Sequence, residues 1–116
     1  MTFEIAVLAF AFLLMAVVLL SVALAGWLRL LPRNRWAGIR TDSVRTSDAA
    51  WAAGHRAAAP GLALAAIAPL ILGFALLVER PAAAGDWLIT IIGVGLISGG
   101  LMALSVRRAD EAARSI

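Results

Sequence analysis

Residues 5–28 read IAVLAFAFLLMAVVLLSVALAGWL, 24 positions without a charge and with Ser21 as the one polar side chain. As a helix this stretch is about 36 Å long, enough to cross the hydrocarbon core of a bilayer with some tilt. Two further stretches have the same character. Residues 61–78 (GLALAAIAPLILGFALLV) are wholly apolar, and residues 87–106 (WLITIIGVGLISGGLMALSV) are interrupted only by Thr90, Ser98 and Ser105. Length identifies these spans, because a helix that is apolar all round shows no amphipathic periodicity. The sequence therefore predicts an all-α integral membrane protein with three transmembrane helices, about 5–28, 61–78 and 87–106. Residues 1–116 are expected to form a single membrane domain.

Composition agrees. The chain is 63% hydrophobic and only 15% charged, against roughly a quarter charged in a soluble domain. Cysteine is absent and there is one histidine, so no disulfide, thiolate site or multi-histidine metal site can form, and neither metal nor cofactor is expected. All ten basic residues are arginine. Their net excess could suit nucleic acid, but in a chain this apolar it points instead to anionic lipid headgroups.

Arginine placement predicts orientation. Six arginines (29, 33, 35, 40, 45 and 56) lie between the first two spans and three (107, 108 and 114) follow the third, whereas the opposite side has Arg80 alone. By the positive-inside rule the N-terminus is outside, the 29–60 loop cytoplasmic, the 79–86 turn outside and the C-terminus cytoplasmic, in a bacterial plasma membrane. Ala23-Leu24-Ala25 has the small-x-small pattern of a signal-peptide cleavage site. Yet Met1-Thr2-Phe3-Glu4 lacks the positive charge that precedes such a segment, so an uncleaved anchor is expected. Trp27, Trp36 and Trp87 fall near span ends, as interfacial anchors do.

No Asp, Glu, Lys, Arg or His lies within any span. Proton relays, ion pathways and intramembrane catalysis use such residues, so a transporter or an intramembrane protease acting alone is disfavoured. The third span carries Gly95-x-x-x-Gly99, a spacing that lets helix backbones approach closely. Packing within the chain is the first reading of these glycines; contact with another membrane protein or a second copy, a homo-oligomer, is the other. Pro69 is expected to kink the second span.

In the loop, Pro32 and Gly38 keep the first half out of regular helix, and Thr46 or Ser47 can cap a short interfacial helix over about 47–58. On that helix Asp48, Trp51 and His55 share a face, with Trp51 dipping into the membrane before a turn at Pro60. Arg40 is expected to pair with Asp42 or Asp48. Arg29, Arg33 and Arg35 form a positive collar for anionic lipid headgroups. His55 reads as a hydrogen-bonded surface residue. An Asp48–His55 pair acting on a lipid headgroup is a third possibility, but no nucleophile accompanies it, and a non-enzymatic protein is expected.

Trp36-x-Gly38-Ile39-Arg40-Thr41, followed by Trp51 and then His55-Arg56, resembles the signature of the SdpI family of small bacterial membrane proteins. The resemblance covers the loop closely and the three-span layout loosely. His55 stands where the family often has Asn, and the extra N-terminal spans of longer members are lacking. The namesake is an immunity protein that protects a toxin-producing cell from its own secreted peptide, and signals by holding a repressor at the membrane. The resemblance implies an immunity or signalling role, with Gly38, Arg40, Thr41, Trp51, His55 and Arg56 binding a hydrophobic toxin peptide or a cytoplasmic partner. The alternative is an accessory structural subunit of a larger membrane complex.

Overall fold

The computed structural model describes all residues, 1–116. Three helices form an elongated bundle: α1 (Phe3–Trp27), α2 (Asp48–Glu79) and α3 (Leu88–Arg114), with 3₁₀ turns at Val44–Thr46 and Ala84–Trp87. All three are long and apolar enough to cross a membrane. The bundle is 51 Å long, well beyond a hydrocarbon core of about 30 Å. About three turns at the N-terminal end of α2 and the charged last turns of α3 therefore project past the lipid at the end that carries the loop.

Helix α2 is the centre of the bundle. Both α1 and α3 pack along it and hardly touch one another. Its buried residues Trp51, His55, Ala58, Leu62, Ala65, Pro69, Leu72 and Leu76 alternate in steps of four and three, the 3.5-residue repeat of a coiled-coil seam. On α1, Ile5, Ala9, Ala16, Leu19, Ala23 and Gly26 follow the same rhythm, with Phe12 filling the missing step against the turn-end cluster. Small residues dominate because lipid tails are as apolar as leucine. What draws the helices together is van der Waals contact at close range, not exclusion of water. A Cβ on Gly26 would lie 2.9 Å from the His55 carbonyl oxygen, and one on Gly73 would lie 3.2 Å from the Ala9 carbonyl oxygen. One on Gly61 would collide with the Ser105 hydroxyl of α3.

Two expectations are corrected. The interfacial helix over 47–58 is not a separate element: the chain runs as one helix from Asp48 to Glu79 through both Pro60 and Pro69. Pro60 is exposed, off the packed seam, so its ring disturbs no contact, and the seam continues unbroken from Trp51 to Leu76 on the other side. The second correction concerns Gly95 and Gly99. No atom comes within 4 Å of a Cβ built on either, nor on Gly93 or Gly100, so these glycines make no helix contact within the chain. The α3 residues that face α2 are instead Ser98, Ser105, Ala109 and Ala113.

Pro69 lies inside the seam and is fully buried. Having no N–H, it leaves the carbonyl four residues earlier, Ala65, without its helical donor. The hydroxyl of Ser98, itself 2% exposed, donates to that same carbonyl. Each of these residues would be costly in an apolar bundle alone, and together they satisfy one another. Ser98→Ala should destabilise the protein by about 1 kcal/mol, a typical hydrogen bond between membrane helices. In a Pro69→Ala background, where Ala65 regains its backbone donor, the same change should cost much less. Thermal melts of the four proteins in detergent measure the difference.

Candidate functional site

The segment between α1 and α2 is folded by local rules before anything long-range acts on it. Helix α1 ends in a Schellman arrangement, in which the Arg29 N–H donates to the Gly26 carbonyl (3.3 Å) and the Leu30 N–H to the Ala25 carbonyl (2.8 Å), with Arg29 at φ 57°. Asn34 then organises a turn. Its Oδ1 accepts from the Trp36 and Ala37 amides (2.7 and 2.8 Å) while its Nδ2 donates to the Pro32 carbonyl (2.8 Å). Asn34 was not among the candidate residues, although an asparagine two residues after a proline is a turn signal. Ser47, one of the two expected caps, accepts from the Ala50 amide at 3.0 Å and starts α2.

Three of the signature residues meet in a buried lock. The indole N–H of Trp51 donates to the Leu31 carbonyl (3.0 Å), and its ring lies 4.3 Å, centroid to centroid, from the imidazole of His55. His55 is 1% exposed. Its Nε2 lies 2.8 Å from the Ile39 amide and its Nδ1 2.9 Å from the Trp51 carbonyl oxygen. An amide can only donate and a carbonyl can only accept, so the ring must be neutral with its proton on Nδ1. Gly38 lets the chain come this close. It has φ +106°, a conformation suited to glycine, and a Cβ there would lie 2.6 Å from His55 Nε2 and 3.2 Å from the Trp51 ring. Trp51 and His55 are thus interior residues, not the membrane-dipping anchor and surface histidine expected. The loop folds over the α2 face that a lone amphipathic helix would have turned to lipid.

The polar pairings also differ from expectation. Arg40 pairs with neither aspartate, for Asp42 is held by Arg45 (2.8 Å) and Asp48 by Arg33 (3.3 Å). Its guanidinium donates instead to the Arg35 carbonyl. Thr41 donates to Asp110 of α3 (2.8 Å), which is clamped in turn by Arg114 (2.5 Å), so the loop is tied to α3 as well as to α2. Arg56 stands apart from the lock, its guanidinium 4.3 Å over the Trp27 ring and donating to the Trp27 carbonyl (2.7 Å) at the end of α1. Asp48 and His55 form no catalytic pair. Both imidazole nitrogens are occupied by backbone, and Asp48 points to solvent with Arg33.

Beside the lock is a groove of about 490 Å³ between α1 and α3. Its walls are Val18, Leu19 and Val22 of α1, Leu62 of α2, and Met102 and Val106 of α3. Residues Gly38–Thr41 close its loop end. The groove exists because α1 and α3 both lean on α2 and leave the space between them open. No group of acidic or histidine side chains in the chain is arranged to hold a metal.

Removing the imidazole should loosen the loop without unfolding the bundle. His55→Phe leaves the Ile39 amide buried and unpaired, at a cost of about 1–3 kcal/mol, and Gly38→Ala adds backbone strain and a collision with the ring. Both variants should speed hydrogen exchange at Ile39 and trypsin cleavage after Arg40 and Arg45, with helix content unchanged. Trp36→Ala, at a side chain 87% exposed, should behave as the native chain.

Comparison with known proteins agrees with the geometry. Neither the curated proteins nor the solved structures contain a match. Residues 30–105, which span the loop, all of α2 and most of α3, match the SdpI/YfhL protein family. With three helices able to cross a membrane and the signature residues gathered at one end of them, this multi-pass membrane protein belongs to the SdpI/YfhL family.

Proposed function

We propose that the protein is an immunity or signalling protein of the SdpI type, which takes a hydrophobic toxin peptide from the bilayer into the groove between α1 and α3. The observation that carries this reading is the position of Gly38–Thr41 as the end wall of that groove. The apolar walls suit a peptide already dissolved in lipid. Arg40 at the mouth, with guanidinium N–H groups beyond the one given to Arg35, suits a carboxylate or a row of backbone carbonyls. Because Thr41 reaches Asp110, filling the groove would strain the loop's tie to α3, and the loop face could pass that change to a cytoplasmic repressor. This needs the loop and C-terminus to be cytoplasmic, as the arginine distribution supports. Cysteines at Ala83 and Ala112 should accordingly label from outside and inside the cell, respectively; labelling from a single side would overturn the orientation.

The function is tested by survival of a sensitive host exposed to the peptide, with each variant checked for normal abundance in the membrane. Val18→Trp and Val106→Trp, at partly exposed groove positions, should reduce protection at least tenfold. Phe10→Trp, on the lipid-facing side of α1, should not. Arg40→Lys should also impair protection, since an ammonium cannot reproduce a planar fork of donors, whereas Arg33→Lys can keep its pairing with Asp48. Full protection by the groove and Arg40 variants would reject the reading.

One observation favours a second reading, an accessory subunit of a larger membrane complex. The α3 face with Gly95 and Gly99 is bare, and the spacing suits a helix of another membrane protein or a second copy. Gly95→Leu would then abolish co-purification with that partner from native membranes while leaving survival unaffected.

A further inference from the structure

A second apolar recess lies on the other side of α1, between α1 and α2. It measures about 480 Å³. On α1 its wall is Leu20, Ala23, Leu24 and Trp27, a stripe at helical spacing, and on α2 it is Ala59, Pro60 and Ala63. The space exists because three of these seven residues are alanine while Leu20, Leu24 and Trp27 stand partly clear of the bundle. The recess belongs to the last two turns of α1 before the loop, where the outer part of a lipid leaflet meets its headgroups.

The charge at its mouth determines what can occupy it. Arg56 precedes Ala59, Pro60 and Ala63 by three, four and seven residues, so it projects from the same face of α2, one turn nearer the loop. Its guanidinium is fixed in place by stacking over Trp27 and by the bond to the Trp27 carbonyl, and its remaining N–H groups have no acceptor in the chain. No carboxylate lies within ion-pair distance of it, and Asp48, Asp42 and Asp110 are held by Arg33, Arg45 and Arg114. Arg29, two residues beyond Trp27, is likewise outside every ion pair. A preoriented cation with an apolar slot beneath it matches one molecule with an anionic head and a hydrocarbon tail.

We propose that the α1/α2 recess binds one acyl chain of an anionic phospholipid, with Arg56 holding its phosphate. Trp27 serves both parts of the ligand, as a wall for the chain and a platform for the guanidinium. This assigns a specific lipid role to Arg56 in place of the general collar, in which Arg33 is already committed to Asp48. It is independent of the peptide groove across α1.

The test is native mass spectrometry of the purified protein in detergent with phosphatidylglycerol or phosphatidylcholine of identical chains. The native chain should retain phosphatidylglycerol at least tenfold over phosphatidylcholine. Arg56→Gln should abolish that preference. Ala63→Leu, which fills the slot without touching the cation, should reduce retention of phosphatidylglycerol severalfold. Val18→Trp, in the other groove, should retain it as the native chain does. Equal retention of the two lipids, full retention by Ala63→Leu, loss in Val18→Trp, or displacement of the lipid by millimolar inorganic phosphate alone would overturn the assignment.

Discussion

Inside a bilayer no water is displaced when two apolar helices meet, so the bundle depends on how closely backbones can approach and on whether every polar group finds a partner. Helix α2 meets both demands. Its seam of Ala58, Ala65, Gly61 and Gly73 brings α1 and α3 into contact, and the one carbonyl that Pro69 strips of its donor is served by Ser98. Everything else follows from α2 being shared. Since α1 and α3 both lean on it, they leave a groove on one side, and since α2 is longer than a bilayer is thick, its first turns remain free to organise the loop.

That projecting end of α2 explains the signature. Trp51 and His55 are the first two members of the seam, and α1 ends level with them, its Gly26 packed against the His55 backbone. The loop takes over from α1 there, with Leu31, Gly38 and Ile39 covering the two rings as α1 covers the alanines below. A buried imidazole that joins two backbone groups rigidifies the segment it binds. The rigid segment then sets the end wall of the groove, so residues that serve packing also shape the surface proposed to meet a peptide.

The arginines divide by what surrounds them. Arg33, Arg45 and Arg114 are matched to carboxylates and shape the loop, whereas Arg40 and Arg56 are held by carbonyls, which orient a guanidinium without neutralising it. Each of the latter two stands at the polar end of an apolar recess, one on either side of α1. Sequence marks Arg40 and Arg56 through the signature and Arg29, Arg33 and Arg35 as a collar; surroundings decide which guanidinium is matched to a carboxylate and which is not.

Three spans and the special character of the loop were legible in the linear chain, because span length and absence of charge are properties of the sequence itself. The signature of Trp36, Gly38, Arg40, Thr41, Trp51 and His55 marked the right segment and the right family. The 3.5-residue seam was written there too, but hidden, since alanines that pack and leucines that face lipid are equally apolar. What only the tertiary structure decided is which small residues touch. Gly95 and Gly99 have the better motif and meet nothing, while Gly61 and Gly73, neither with a second glycine four residues away, meet backbone or side chain at closest range. It also decided that Pro60 passes through a continuous helix, its exposed ring lying off the seam, and that His55 is interior, because its partner Ile39 arrives from 16 residues away.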